Sequence, residues 1–162
     1  MILSSPAFRN GQKIPKQHSG EGADISPALK WSDVPAGCAE LLLLCEDPDA
    51  PQPEPWVHWL VYSLSPSQTN GIPEGLSNQP VVERPLKARQ GRNSFGTTGY
   101  GGPMPPLQHG THRYYFKLYA LDRPLDLPPG ATKDAALRAM RGHVITEAEL
   151  MGTYERRKAE AA

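Results

Sequence analysis

Proline falls between apolar runs from one end of this chain to the other, and that spacing constrains the fold more than any other feature. The sequence holds 18 prolines and 15 glycines. A proline fixes φ and has no N–H to give, so it is excluded from helix interiors and from the middle of a sheet. Because the prolines are spread rather than clustered, the chain is not low-complexity. The punctuation predicts a β-rich domain of many short strands joined by long, rigid loops.

Three segments carry a clear strand pattern. Leu41 to Glu46 is a continuous apolar run between Pro35-Ala36-Gly37 and Pro48, which predicts a buried strand. Val57 to Leu64 is a second strand, ended before Pro66. Strict alternation puts His58, Leu60, Tyr62 and Leu64 on one side and Val57, Trp59 and Val61 on the other. Arg113 to Leu121 is a third, with His112, Tyr114, Phe116, Leu118 and Ala120 sharing the interior side. Residues 65–111 form a stretch rich in Gly and Pro, and loops that long are uncommon unless they are functional. Near the C-terminus the pattern turns helical over Lys133 to Arg141, interrupted by Gly142. Thr146 to Glu149 reads as a capping box opening a second helix through about Arg157. Strands first and helices last predict a mainly β (α+β) domain, with no alternating βαβ pattern.

The 162 residues suit a single domain over 1–162. Lys plus Arg and Asp plus Glu are equal at 17 each, so the long-range field of a general nucleic-acid binder is missing. The short basic clusters at 84–92 and 156–158 read as solvated surface. No basic stretch followed by an apolar one marks a secretory signal at Met1 to Pro6, and Leu41 to Cys45 is far too short to cross a bilayer. Cys38 and Cys45 make no disulfide framework. A soluble protein in a reducing cytoplasm is the simplest expectation.

The chemistry concentrates at the ends of the three strands. Asp47-Pro48-Asp49-Ala50-Pro51 directly follows the first. Two geometries fit it: an extended segment with both carboxylates on one side, or a turn in which the Asp side chains cap nearby amides. His58 opens the second strand and His112 the third, each beside a Pro/Gly-rich loop. Each alone reads as readily as a structural residue. Residues 99–106, Gly-Tyr-Gly-Gly-Pro-Met-Pro-Pro, allow close backbone approach and an amide nest for an anion. They lack the Gly-Lys-Ser/Thr ending of a phosphate-binding loop and the third glycine of a dinucleotide fingerprint.

These blocks resemble the signature segments of the phosphatidylethanolamine-binding protein family, and most closely its bacterial and archaeal Raf-kinase-inhibitor-like branch. The resemblance runs through Asp24 to Trp31, Asp47 to Pro51, Trp56 to Trp59, Gln90 to Phe95, Gly99 to Pro106, His112 to Asp122 and Gly142 to Tyr154, in the family's order. It implies an antiparallel β-sandwich-like core with C-terminal helices. It also implies a small-anion pocket walled by Asp47, Asp49, Pro51, Trp56, His58, Gly102, Pro105, Pro106, His112 and Tyr114. Family members hold phosphate, acetate or a phosphorylethanolamine head group there. Two places depart from the pattern: Met104 stands where the branch often has Cys, and Ser19 to Gly22 is unlike the usual cysteine-bearing segment.

The implied function is binding of a small anion, with both imidazoles as donors, cationic or held in a donating tautomer by an Asp. No cofactor or metal is implied. His112, on its strand, is expected to carry the anion rather than His109 in the loop. A cis peptide is expected near Ala50–Pro51. By analogy with the family, a protein kinase or protease is a further partner, and a homodimer a further state. No nucleic acid and no stable membrane insertion are expected. The rival reading is a metal- or acid/base-dependent phosphate-ester hydrolase built on the same Asp/His pocket.

Overall fold

The computed structural model describes residues 1–158; residues 159–162 of the expected domain lie outside the described residues. Nine strands form in chain order: β1 (Ile2–Ser4), β2 (Leu29–Ser32), β3 (Glu40–Asp47), β4 (Trp56–Leu64), β5 (Gly71–Ile72), β6 (Val81–Val82), β7 (Ala88–Gln90), β8 (Thr111–Leu121) and β9 (Val144–Glu155). One helix, α1 (Lys133–Met140), comes before the last strand. The strands make a six-stranded sheet in the order β6-β7-β4-β3-β8-β9 and a three-stranded sheet in the order β1-β2-β5. Every strand pairing in both is antiparallel.

Apolar side chains fill two layers around the larger sheet. On one face Leu41, Leu43, Cys45, Trp59, Val61, Phe116 and Leu118 pack with Leu3, Leu29, Trp31 and Ile72 of the smaller sheet. On the other, Leu42, Leu44, Leu60 and Tyr62 pack with Ala136 and Met140 of α1. Strand β3 is therefore buried on both sides, which is why it reads as an unbroken apolar run. Thr132 caps α1, its hydroxyl accepting from Ala135 N–H at 3.2 Å. Glu46 ties the helix to the sheet by pairing with Lys133 and with Lys117.

Three sequence expectations fail here. The helix expected from Thr146 is the strand β9, so a single helix stands where C-terminal helices were expected. Ala148, Leu150 and Tyr154 are buried at period two and line the sandwich, while Glu147 and Glu149 pair across to Tyr119 and Lys117 on β8. The capping-box match is a local coincidence overridden by the long partner strand. The alternation along β4 also breaks at both ends. Val57 packs with Leu60 and Tyr62, whereas Leu64 packs with Trp59 and Val61. Irregular pairing of β3 with β4 between Cys45 and Glu46, and between Leu41 and Leu43, accounts for the switches. The cis peptide lies at Arg84–Pro85, not near Ala50–Pro51.

Candidate functional site

Antiparallel pairing brings the C-terminal end of β3 between the N-terminal ends of β4 and β8. Asp47 pairs with Trp56 on one side, and Glu46 with Tyr115 on the other. Three titratable side chains thereby meet at one end of the sandwich, and all are nearly sealed: Asp47 is 3% exposed, His58 3% and His112 2%. The irregular pairing at Cys45/Glu46 turns His58 to the sandwich side, where its ring stands edge-on to Tyr114 with centroids 5.0 Å apart.

The three groups line a cavity of about 170 Å³ together with Ala50, Pro51, Gln52, Trp56, Phe95, Met104, Pro105, Pro106 and Tyr114. That lies below the roughly 300–1,000 Å³ of drug-sized ligand sites. The size suits a head group rather than an acyl chain. A larger hollow of about 440 Å³ runs along Lys13, Lys16, Thr111 and Glu155, but its charged groups sit on exposed or half-buried side chains.

Eight of the ten expected residues line the cavity; Asp49 and Gly102 do not. Asp47 and Asp49 part company because the segment is a turn, the capping geometry rather than the extended one. Asp47 Oδ1 accepts from the Asp49 N–H at 2.7 Å. Asp49 reaches outward to Arg113, accepting from Nε at 2.9 Å, Nη2 at 2.8 Å and the backbone N–H at 2.9 Å. The guanidinium hydrogen bond holds the Asp49 carboxyl below the usual carboxylate range. Gly102 lies behind the wall, its N–H given to Asp24 Oδ1 at 2.7 Å. A Cβ there would come within 2.2 Å of the His18 carbonyl oxygen, so only glycine fits. Phe95 and Met104 were not among the expected wall residues. Phe95 packs edge-on against both Trp56 and His58, each at 5.4 Å.

Hydrogen bonding fixes the tautomers. A carbonyl oxygen only accepts, so His58 Nδ1–H donates to Gly101 O, and Nε2 is left as an acceptor. Burial lowers the pKa of this ring to about 4, so it is neutral at neutral pH; it is neither the cationic donor nor the Asp-held donating tautomer that the sequence suggested, because Gly101 O takes the Nδ1 proton. His112 Nδ1–H donates to Asp47 Oδ2 at 2.6 Å. The His112 Nε2 that remains accepts from His109 Nδ1–H at 2.7 Å. Burial, then the charge of Asp47, pushes the Tyr114 phenol well up, so it stays a neutral wall. Among the described residues, no cluster of three or more His, Cys, Asp or Glu has the arrangement to hold a metal ion.

Residues 4–155 match the family model described as phosphatidylethanolamine-binding protein. The chain belongs to the phosphatidylethanolamine-binding protein family. Within that family it is 46% identical over 157 residues to a UPF0098 protein of Methanothermobacter thermautotrophicus, spanning 96% of this chain and 99% of the relative. Two solved family structures superpose closely. A putative homologue from Chlamydia trachomatis has TM-score 0.85 at 45% identity, over 96% of this chain and 97% of that one. Escherichia coli YbcL, described as a member of the mammalian family, has TM-score 0.87 at 30% identity, over 95% and 97%. No helix among the described residues is long and apolar enough to cross a membrane. The two departures of this family member from the pattern touch each other: a Cβ on Gly20 would lie 3.1 Å from the Cβ and Sδ of Met104.

Proposed function

We propose that the chain binds a small phosphate-type head group in the cavity of Asp47, His58 and His112. The observation that carries this reading is the 2.6 Å hydrogen bond from His112 to a carboxylate that is itself 97% covered, beside walls of Trp56, Phe95, Pro51 and Tyr114. Such a low-dielectric setting strengthens each of the few polar contacts a guest can make.

The tautomers refine which guest fits. With its Nδ1 proton committed to Gly101, His58 has only a lone pair on Nε2 to give. His112 has Nε2, which donates when the ring is protonated and accepts when it is neutral. Asp47 holds the Nδ1 proton of His112, so the neutral ring also turns a lone pair on Nε2 to a guest. The guest that suits both rings carries an anionic oxygen and a proton of its own, as inorganic phosphate does on oxygen and phosphorylethanolamine does on its ammonium group; a simple phosphomonoester has lost most of its phosphate proton by neutral pH. Acetate shares the oxygen but, once ionised, not the proton. No Ser, Thr or Cys lines the cavity, which supports binding over covalent hydrolysis.

Titration calorimetry tests this with inorganic phosphate, phosphorylethanolamine and sulfate at neutral pH. Phosphate and phosphorylethanolamine should bind more tightly than sulfate, which has no proton to give. His112→Ala should weaken phosphate by about tenfold or more, the scale of one charge-assisted hydrogen bond. Equal phosphate affinity in the His112→Ala variant overturns the reading, as does an absence of binding.

A further inference from the structure

Both ring nitrogens of His112 have protein partners. Asp47 holds one, and the other, Nε2, meets His109 Nδ1 at 2.7 Å with ring centroids 4.9 Å apart. Because Nδ1 carries its proton toward Asp47, Nε2 is the acceptor and His109 the donor. A neutral imidazole nitrogen has a single in-plane lone pair. His109 and a guest therefore cannot both take the strong hydrogen bond at that atom.

The placement of His109 suits a group that leaves. It is exposed and sits on a turn that begins at Pro106, a wall of the cavity, with its own N–H given to the Pro106 carbonyl at 3.2 Å. Gln108 before it has φ 60° and Gly110 after it φ 85°, so the turn is built from left-handed residues rather than from strand or helix. Among the described residues, the one other backbone hydrogen bond of this turn is a long contact from Gln108 N–H to the Arg156 carbonyl at 3.4 Å. Asp47, His112 and Tyr114, by contrast, are gripped by the sheet.

We infer that His109 is a displaceable stand-in for the guest: it caps His112 Nε2 in this structure, and a phosphate-type guest takes its place at that atom. This rests on the proposed head-group site. Capping keeps the buried His112 satisfied on both nitrogens, and it sets a selectivity threshold. A guest enters only if its own contact with His112 outcompetes an imidazole N–H, which an aliphatic or purely apolar guest does not. His109 therefore lowers affinity while raising discrimination.

The test is a phosphate titration of the wild-type chain, His109→Ala and His112→Ala, with side-chain ¹⁵N spectra of the histidines. His109→Ala should bind inorganic phosphate roughly three- to tenfold more tightly, the scale of one competing hydrogen bond removed. His112→Ala should bind it more weakly. Without phosphate, His109→Ala should shift the His112 Nε2 resonance; with phosphate, the wild-type His109 Nδ1 proton should begin to exchange rapidly with water. Tighter binding with those shifts supports displacement. If the wild-type chain binds and His112→Ala does not, but His109→Ala is unchanged or weaker, displacement is wrong and the head-group site stands. If no variant binds phosphate, the site reading fails and displacement fails with it. An unchanged His112 spectrum in His109→Ala overturns displacement whatever the titration gives.

Discussion

His58 and Gly101 clamp one another: the ring Nδ1–H of His58 reaches the Gly101 carbonyl at 2.6 Å, and the Gly101 N–H returns to the His58 carbonyl at 2.9 Å. The pair staples β4 to the glycine-rich loop at 99–106. It also decides the chemistry of the cavity, because a ring held this way turns an acceptor, not a donor, toward any guest.

Burial of the His58 ring predicts how stability depends on pH. Burial lowers the His58 pKa from 6.5 to about 4, so on acidification the unfolded chain takes up a proton before the folded chain does. The His58 contribution is complete above about pH 6.5 and falls as the pH drops toward 4, by about 3 kcal/mol in all. Urea unfolding at pH 7 and pH 4.5 should show a steeper acid loss for wild type than for His58→Gln, which has no imidazole to titrate. Parallel losses in the two proteins would mean that the folded ring takes its proton as readily as the unfolded one.

The two aspartates of the turn should separate cleanly under mutation. Asp47 is sealed against His112, whereas Asp49 faces outward and holds Arg113 by two side-chain contacts and one backbone contact. Asp47→Asn should weaken phosphate by about tenfold, because it removes the carboxylate that holds the His112 Nδ1–H and so fixes the Nε2 lone pair for the guest; Asp49→Asn should leave it within about twofold. Calorimetry on the pair of variants checks this. Comparable losses would place Asp49 in the binding machinery after all.

What the sequence disclosed was whatever a local pattern can encode. β3, β4 and β8 were legible because burial repeats at short range, and the side of β8 carrying His112, Tyr114 and Phe116 follows from alternation alone. The family blocks marked eight cavity residues through residue type and order. Features set by a partner strand were not legible. The turning of His58 depends on irregular pairing with β3, and Asp49 finds Arg113 on a strand far away in sequence. β9 was misread because Thr146 and Glu149 satisfy a helix-start pattern four residues long, while the buried period of two at Ala148, Leu150 and Tyr154 extends further. His109 looked like an ordinary loop residue, since nothing nearby in sequence announces which lone pair it will meet.

Gly20, within the departing segment 19–22, and Met104, the other departure from the family pattern, offer a last check on how the loops assemble around the cavity. Gly20 N–H donates to the Pro103 carbonyl at 2.8 Å, and a Cβ built on Gly20 lies 3.1 Å from the Met104 Cβ. Disulfides place their Cβ atoms about 3.5–4.5 Å apart, so a relaxation of a few tenths of an ångström brings this pair into range. Gly20→Cys combined with Met104→Cys should form a disulfide on mild oxidation. It would close a loop of about half the chain, and long closures of this kind typically stabilise by roughly 2–4 kcal/mol. The measurement is a thiol count with thermal unfolding, with and without reductant. The native Cys45 is sealed and the native Cys38 half-buried, so the introduced pair should supply the thiols that disappear. If both introduced thiols stay free after oxidation, the segment at 19–22 does not rest on the cavity loop, and the contact between the two departures is lost with it.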